Sequence, residues 1–438
     1  MLFSSIPFLF YFLPPVLLLY FLTPDRWKNL TLLLSSLVFY GWGEPRFLLF
    51  MLAAIAQGYA FGRLMERYPR HKRLFLILSA VLSLGLLGYC KYAGFFLRTL
   101  GALTGLSLPA LQIALPIGIS FYTFQVLSYV IDVYRGTVPP QRNLLQLATY
   151  VAMFPQLIAG PIVRYADIAP ELTRRRHTLA DAAAGARRFV VGLGKKVLIA
   201  NVLYELMSAF LQSTQPSVLF TWLYAVACAL QIYFDFSGYS DMAVGLGRIF
   251  GFHFPENFRY PFLSGSVTEF WRRWHISLGS WFRDYVYIPL GGSRCSRSRW
   301  LLNVFLVWGL TGLWHGAAWN FVLWGLFFAV LLAVSFVLFN AADLPAAGQQ
   351  IAALFGFGGL PASGVESLYY LRSYAVVLVI ALLGATPLPA KAVQRLRDTS
   401  AGSAVLSAAE PVALVLLLAA CTAYLVDGSF NPFLYFRF

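Results

Sequence analysis

Two histidines, His275 and His315, are the best candidates for chemistry in a chain that has only five histidines among 438 residues. His315 is the only Asp, Glu, Lys, Arg or His between Arg299 and Asp343. If this segment is helical from Trp300, His315 lies about 22 Å further along, beyond the middle of a roughly 30 Å hydrocarbon core. An ionisable side chain at that depth is costly and usually lines a pathway or an active site.

The alternative interpretation of His315 is a neutral imidazole that is hydrogen-bonded to a neighbouring helix. The surrounding sequence instead favours a cavity, because it combines small residues that leave space with large indoles that wall it. These residues are Gly309, Gly312, Gly316, Trp308, Trp314 and Trp319. A histidine in such a cavity is suited to act as a general base that removes a proton from a hydroxyl group during group transfer.

His275 lies in a segment that begins with a helix start signal. Ser266 and Glu269 have capping-box spacing, in which the serine accepts from the Glu269 backbone N–H and the glutamate reaches back. The predicted helix ends near Gly279 and places His275 beside an apolar stripe. The stripe consists of Val267, Phe270, Trp271, Trp274 and Leu278. A histidine in this position is more often structural than catalytic, so the local pattern alone favours a structural role.

Three arginines and two acids complete the candidates around the WRRWH segment. Arg272, Arg273 and Arg283 suit either the phosphates or a carboxylate of a ligand, or lipid headgroups at the cytoplasmic interface. Asp235 and Asp241 either orient a histidine or pair with the arginines, and structural pairing is the favoured interpretation.

No other motif points to a catalytic class. The sequence has no GxSxG elbow, Walker loop, GxGxxG, HExxH or CxxC pair, and its four cysteines are widely separated. We therefore expect no disulfide framework and no metal site. The net charge of +15 is concentrated in a few connecting segments, which favours the positive-inside signal of a membrane protein over nucleic-acid binding.

The elements that position these residues must be membrane helices. The chain is 59% hydrophobic and only 12% charged, against about 25% charged residues in soluble domains. Apolar runs recur from end to end, so we predict a single all-α membrane domain over residues 1–438 with about 10–12 membrane-embedded segments. The first 22 residues have no charged start and no small-residue cleavage site, and are expected to form a first span instead of a removed signal peptide.

Basic segments indicate the topology of the predicted helices. Residues 63–73 and 164–196 are strongly basic and are expected in the cytoplasm, whereas 301–371 contains no Lys or Arg and carries an external loop. Residues 301–342 must start inside and end outside, yet are long enough for two crossings. One part of that segment is therefore expected to be re-entrant.

Several further segments are predicted individually. Residues 74–90 form an outward crossing, and 189–211 with 218–234 form an outward and inward pair. Residues 147–165 are broken by prolines and a glycine, which predicts a broken or re-entrant segment. Residues 235–299 are the least apolar part and are expected to form short amphipathic, interfacial and half-buried helices.

Six motifs in a fixed order extend over nearly the whole chain: FPQLIAGPIVRY, YFDFSGYSDMAVGLGRIFGF, PENFRYPF, WRRWHISLGSWFRDYVYIPLGG, GLWHGAAWNFVLWG and FNPFLYFRF. Together they resemble the membrane-bound O-acyltransferase family, with a signature core over about 231–330. Within the family they are similar to the integral membrane subunits of the bacterial alginate O-acetyltransferase branch. Related members acetylate cellulose or peptidoglycan, or D-alanylate teichoic acid.

The resemblance implies that His315 is the essential catalytic histidine and that His275 is the second signature histidine. It also implies a ring of helices around a funnel or tunnel, where a cytoplasmic acyl donor and an external acceptor reach one site from opposite faces. Further residues are candidates for binding the donor or the substrate. These residues are Arg272, Arg273, Trp274, Trp314, Asp235 and Asn257.

The predicted function is the transfer of an acetyl group from acetyl-CoA, without a bound cofactor, to an exopolysaccharide such as alginate. The protein is expected to lie among the lipids of a bacterial inner membrane and to act with a periplasmic partner protein. Cellulose and peptidoglycan are alternative acceptors. Two other classes stay open: a proton-coupled transporter or channel with His315 as relay, and a scaffold in which both histidines tolerate substitution.

Overall fold

The computed structural model describes residues 1–43, 45–109, 111, 113–157, 160–321, 323, 343–357 and 359–427. Within these ranges the regular structure is helical and contains no strand, as the sequence predicts. The α-helices are α1 (Leu13–Leu22), α2 (Lys28–Gly41), α3 (Leu48–Arg67), α4 (Lys72–Leu87), α5 (Ala93–Thr104), α6 (Ile119–Arg135), α7 (Leu144–Ala152), α8 (Phe154–Leu157), α9 (Tyr165–Thr173), α10 (Leu179–Gly194), α11 (Asn201–Gln212), α12 (Val218–Ile249), α13 (Val267–Arg273), α14 (Ile276–Phe282), α15 (Arg297–His315), α16 (Leu344–Leu354), α17 (Val365–Gly384), α18 (Leu388–Arg397) and α19 (Ser400–Val426).

Five helical segments of the described residues are long and apolar enough to cross a membrane. They are Pro45–Arg67, Pro69–Thr104, Val218–Ile249, Val365–Gly384 and Ser400–Val426. The protein is therefore an all-α, multi-pass membrane protein. The predicted total of about 10–12 embedded segments and their arrangement in a ring stay predictions.

The crossing predicted at 74–90 is longer than expected. A π-helical turn at Gly88–Tyr92 joins α4 to α5, and the combined helix ends at Gly105. Gly105 adopts the left-handed conformation, with a φ of 71°, and its N–H caps the last turn. The helix therefore continues beyond residue 90, where the sequence predicts the end of the crossing.

The segment 147–165 is broken, as predicted. Helix α7 ends at Ala152, the short helix α8 covers Phe154–Leu157, and residues 160–164 contain no helix. The side chains of 148–157 are buried in protein, and Phe154 N–H donates to Ser36 Oγ at 3.0 Å. Protein contacts of this kind satisfy backbone groups where the helical ladder is interrupted.

Helix α12 corrects the prediction for the start of 235–299. The sequence predicts short helices from residue 235, but α12 continues without interruption to Ile249. The remainder of the segment is made of short helices as predicted, including α13 and α14.

Ion pairs neutralise the two aspartates of α12, one of them buried and the other partly exposed. Asp235 Oδ1 lies 2.6 Å from Nζ of Lys196. Asp241 lies 2.8 Å from Nη2 of Arg188 and 2.6 Å from Nζ of Lys195. Both acids are therefore neutralised by bases of α10 and of the π-helical segment Lys195–Ala200 that follows it. The prediction of structural pairing holds, although these partners are Lys196, Lys195 and Arg188 and not the candidate arginines near WRRWH.

The chain separates into two compact units. The first contains 1–186, 243–256 and 283–289, and the second contains 187–242, 257–282 and 290–438. Both candidate histidines belong to the second unit. The single-domain organisation stays a prediction. Several predicted features lie wholly or partly outside the described residues: the segment 147–165, the GLWHGAAWNFVLWG motif, the end of the signature core, the second half of 301–342 and the terminal FNPFLYFRF motif.

The second unit has a continuous apolar core. Buried side chains of α11, α12 and α17 pack together with Phe270, Trp274 and Phe321. This core brings one end of the α13 segment and the chain that follows α15 into the same cluster, and so positions the two histidine-bearing segments within one unit.

Candidate active site

The helix that carries the WRRWH motif begins as predicted. Ser266 Oγ accepts a hydrogen bond from the Glu269 backbone N–H at 3.1 Å. The glutamate reaches back one residue further than a capping box requires, and its carboxylate accepts from the Gly265 N–H at 2.9 Å. Both bonds satisfy N–H groups at or just before the start of α13, and they therefore stabilise its N-terminus.

The prediction of one helix from Ser266 to Gly279 is wrong. Helix α13 ends at Arg273, and α14 begins at Ile276. Between them His275 has a φ of 44°, in the left-handed region that side chains other than glycine rarely adopt. Gly279 lies inside α14 and does not end a helix.

The break at His275 is held by a neighbouring chain segment. The Ile276 N–H donates to the Asn257 carbonyl at 3.0 Å, and the Arg259 N–H donates to the Arg273 carbonyl at 2.9 Å. Backbone groups that would continue the helical ladder are thus bonded to 257–259 instead. A tertiary contact with residues 257–259 therefore ends α13. The spacing of apolar residues within the motif cannot predict such a contact.

The imidazole of His275 is buried, with 3% of its surface exposed. Its Nδ1 lies 3.1 Å from Asn257 Oδ1. Phe236 of α12 meets the ring edge to face, with centroids 4.6 Å apart, and Trp314 lies at 5.8 Å. The ring is therefore fixed by one hydrogen bond and by aromatic packing from two helices.

The bonds of Asn257 define the tautomer of His275. The Ser277 backbone N–H can only donate, and it bonds the same Asn257 atom at 3.2 Å, so this atom is the carbonyl oxygen. The amide nitrogen of Asn257 donates to Ser240 Oγ at 3.0 Å. His275 must therefore carry its proton on Nδ1 and keep a lone pair on Nε2.

The Nε2 atom of His275 is buried and has no hydrogen-bond partner among the described residues. His275 lies outside the five candidate spans. Burial lowers the pKa of His275 well below its ordinary value, and the nearby His315 lowers it further. His275 is therefore a neutral imidazole at pH 7, and its Nε2 is available to accept a hydrogen bond.

His315 is the last residue of α15 and is 7% exposed. The helix is continuous from Trp300 to His315, as the estimate of about 22 Å between them requires. Trp314 packs against both imidazoles, with ring centroids 5.1 Å from His315 and 5.8 Å from His275. The structure therefore brings both predicted histidines to the same indole.

The other predicted cavity residues have different surroundings. Trp308 packs against Trp271, with centroids 4.8 Å apart, and Trp319 is 51% exposed. A Cβ atom added to Gly316 would lie 2.2 Å from a ring carbon of Phe321. The absence of a side chain at this glycine therefore makes room for a phenyl ring.

Trp274 is a core residue beside the site. It is 6% exposed and stacks on Phe270, with centroids 5.6 Å apart. Its ring also meets Phe258 edge to face at 5.2 Å. These contacts fix the chain on the N-terminal side of His275.

The three candidate arginines differ in their partners. Arg273 Nη2 donates to Glu269 Oε1 at 2.6 Å, and Arg283, in the first unit, pairs with Asp284 at 2.6 Å. Arg272 is exposed, and no ion pair involves it among the described residues. Of the three, Arg272 therefore presents its charge to the surroundings.

Sequence reasoning missed the residues that orient His275. Asn257 was expected among substrate-binding residues, and Asp235 was one candidate for orienting a histidine. The described hydrogen bonds give the orienting contact to Asn257 and place Ser277 and Ser240 around it. The available signal was an asparagine in the aromatic and proline-rich PENFRYPF segment. Among the described residues no three His, Cys, Asp or Glu side chains lie close enough to ligate a metal.

Residues 140–358, which include both histidines and Asn257, match the membrane-bound O-acyltransferase family. The chain belongs to this family. A relative described as "Probable alginate O-acetylase" from Azotobacter vinelandii is 41% identical, and the alignment covers 100% of both chains. The protein of the same description from Pseudomonas aeruginosa is 38% identical over 100% of both chains.

A third relative of this membrane-bound O-acyltransferase is a "Peptidoglycan O-acetyltransferase" from Helicobacter pylori. It is 35% identical over 76% of this chain and 70% of its own length. The family resemblance of the sequence motifs is therefore confirmed, and the protein is an O-acyltransferase. The two imidazoles around Trp314 are the residues of this unit whose chemistry fits that activity.

Proposed function

We propose that the protein transfers an acetyl group from acetyl-CoA on the cytoplasmic side to hydroxyl groups of alginate outside a bacterial inner membrane. The observation that carries the chemistry is the pair of buried imidazoles on Trp314, one of which has an available Nε2. The choice of acetyl and alginate is supported by the end-to-end similarity to proteins described as probable alginate O-acetylases.

In this proposal His315 is the general base. It removes the proton of the accepting hydroxyl while the oxygen attacks the thioester carbonyl. The carbon–sulfur bond then breaks, and the proton passes from the imidazole to the leaving thiolate. In a second route His315 carries the acyl group transiently. The imidazole attacks the thioester carbonyl, and a carbon–nitrogen bond forms as the carbon–sulfur bond breaks and the thiolate leaves. The hydroxyl oxygen then attacks the acyl-imidazole, the carbon–nitrogen bond breaks, and the hydroxyl proton passes to the imidazole.

His275 is proposed to orient the acceptor by accepting a hydrogen bond from a substrate hydroxyl other than the one that His315 deprotonates. The sequence left two roles open, substrate orientation and support of the oxyanion. A neutral imidazole that is protonated on Nδ1 accepts at Nε2 and cannot donate there. This protonation state favours orientation of a hydroxyl donor over stabilisation of an oxyanion.

Arg272 is the proposed contact for the phosphates of the donor. Its side chain is exposed, and a guanidinium binds phosphate oxygens through charge-assisted hydrogen bonds. Arg273 forms an ion pair with Glu269. It is therefore proposed to stabilise helix α13 and not to bind the donor. The acetyl group reaches the polymer either directly or through a periplasmic acetylation protein.

The test uses purified protein in detergent with isotopically labelled acetyl-CoA and alginate. We expect release of CoA and labelled polymer without any transmembrane gradient, whereas a transporter would release none. His315→Ala is expected to abolish both products while the protein elutes as a folded species. Retention of polymer acetylation by this variant would overturn the assignment.

Peptidoglycan is the second candidate acceptor, because one relative at 35% identity is described as a peptidoglycan O-acetyltransferase. The same assay with peptidoglycan in place of alginate separates the two. Faster labelling of peptidoglycan would replace alginate as the proposed acceptor and leave the roles of the histidines unchanged.

A further inference from the structure

We infer that Asn257 is a positioning residue: it holds His275 in one tautomer and one backbone conformation, so that Nε2 is presented as an acceptor in the site. This inference rests on the proposed role of His275 in acyl transfer. It replaces the expectation from sequence that Asn257 itself binds the donor or the substrate.

The side-chain oxygen of Asn257 is fully used by the protein. Its Oδ1 accepts from His275 Nδ1 at 3.1 Å, from the Ser277 N–H at 3.2 Å and from Ser277 Oγ at 2.9 Å. Its Nδ2 donates to Ser240 Oγ at 3.0 Å. With 1% of its surface exposed, Asn257 has neither accessible surface nor a spare acceptor position for a ligand.

The main chain of Asn257 also bonds the turn at His275. Its carbonyl accepts the Ile276 N–H at 3.0 Å. His275 lies between this bond and the bonds to Ser277, and its φ of 44° is unfavourable for a residue with a Cβ atom. A conformation of this kind persists only when its surroundings impose it, and Asn257 bonds three consecutive residues of the turn.

A hydrogen-bond acceptor at Nδ1 determines whether Nε2 of His275 carries a lone pair or a proton. Without that acceptor, a neutral imidazole is free to carry its proton on either nitrogen. A proton on Nε2 would turn the buried acceptor into a donor and would repel a hydroxyl donor from the substrate. Asn257 therefore sets the direction of the hydrogen bond that His275 makes in the site.

The groups that face His275 come from three elements. Helix α12 contributes Phe236, the segment after it contributes Asn257 and Phe258, and α15 contributes Trp314 and His315. Among these described neighbours His315 is the only titratable group. A charge placed at position 257 would therefore act directly on the protonation of His275.

Two substitutions of Asn257 separate positioning from packing. Asn257→Leu keeps the approximate volume and removes the acceptor, and we expect kcat to fall about 10- to 100-fold, as is typical when a partner that orients a functional histidine is lost. Asn257→Asp keeps an acceptor, and the Ser240 hydroxyl can turn to donate to it. We expect this variant to retain activity.

The carboxylate of Asn257→Asp also predicts a change in pH dependence. A negative charge beside Nδ1 stabilises the imidazolium, so the pKa of His275 rises. The fall of kcat on the acid side of its pH profile, the acid limb, therefore moves to higher pH. Ser240→Ala is the matched control, because it removes the other partner of Asn257 and leaves the acceptor for His275. We expect Ser240→Ala to keep the wild-type pH profile and at least half of the wild-type kcat.

The tautomer can be measured without activity. Protein labelled with ¹⁵N-histidine, with His275→Gln for assignment, should give the nitrogen shifts of an Nδ1-protonated ring in the wild type and in Asn257→Asp. This measurement stays informative if Asn257→Leu fails to fold. A wild-type signal from an Nε2-protonated ring would overturn the inference.

Kinetic outcomes distinguish this inference from the proposed function. If His275→Ala keeps wild-type kcat, the proposed role of His275 fails. If His275→Ala loses activity while Asn257→Leu folds and keeps wild-type kcat, only the positioning role of Asn257 fails. Equal loss in Asn257→Leu and Asn257→Asp, with no movement of the acid limb, would likewise overturn positioning.

Discussion

Asp235 and Lys196 form an ion pair whose oxygen and nitrogen lie 2.6 Å apart while the side chains are 3% and 0% exposed. A buried pair of this kind depends on both members, because removal of one leaves an unneutralised charge in protein. We expect Lys196→Met to destabilise the fold by about 3–5 kcal/mol.

The double variant Lys196→Met/Asp235→Leu tests the origin of that loss. It removes both charges and keeps apolar volume, so most of the stability should return. Thermal unfolding in one detergent, with polymer acetylation as a second readout, checks the pair. If the double variant is as unstable as the single one, desolvated charge is not the cause.

The lowered pKa of His275 predicts a pH dependence of stability. The unfolded chain binds a proton at His275 near pH 6.5, whereas the folded protein binds it only at lower pH. Stability should therefore be constant with respect to this group above pH 6.5 and fall below it, by at most about 1.4 kcal/mol per pH unit. Unfolding measured between pH 7.5 and pH 5 by denaturant titration checks the direction.

His275→Gln is the control for this pH dependence, because glutamine does not titrate. Its stability should fall less steeply than that of the wild type below pH 6.5. Parallel curves for the two proteins would show that other groups produce the acid sensitivity.

Gly316 is expected to tolerate no side chain. A Cβ atom there would lie 2.2 Å from Phe321, so Gly316→Ala must displace the ring beside the end of α15. We expect a loss of about 1–3 kcal/mol and a fall in kcat, since His315 directly precedes the glycine. Thermal unfolding and initial rates measure the two effects.

Gly279→Ala provides the comparison. Gly279 is exposed within α14, and the nearest atom to its added Cβ is 3.8 Å away. Alanine favours the helical conformation by about 1 kcal/mol over glycine, so this variant should be as stable as the wild type or more so. Equal damage from both substitutions would exclude crowding at Phe321 as the reason.

Arg272 and Arg273 are neighbours with different expected effects. Arg272→Ala should raise the KM for acetyl-CoA about tenfold with little change in kcat, because one charge-assisted hydrogen bond contributes about 1.5 kcal/mol. Arg273→Ala loses a helix pair with Glu269, which is worth only about 0.3–0.5 kcal/mol. Initial rates at varied donor concentration give both constants, and equal KM values for the two variants would contradict donor binding by Arg272.

The membrane character of the chain, its helical class and the helix that leads to His315 were predictable from the sequence. Each depends on local composition or spacing. An apolar run without a helix breaker must satisfy its backbone groups within the segment, which produces helices such as α17. A single ionisable residue in such a run identifies a candidate site before any contact is known.

Tertiary structure decided the conformation of His275, the partner of Asp235 and the task of Asn257. These features depend on groups that are distant in sequence: Asn257 bonds the turn at His275, and Lys196 neutralises Asp235 in α12. Hydrophobic periodicity records which faces are apolar and not which polar groups meet across packed segments. The helix that carries His315 is therefore determined by its own residues, whereas the orientation of His275 is determined by the segment packed against it.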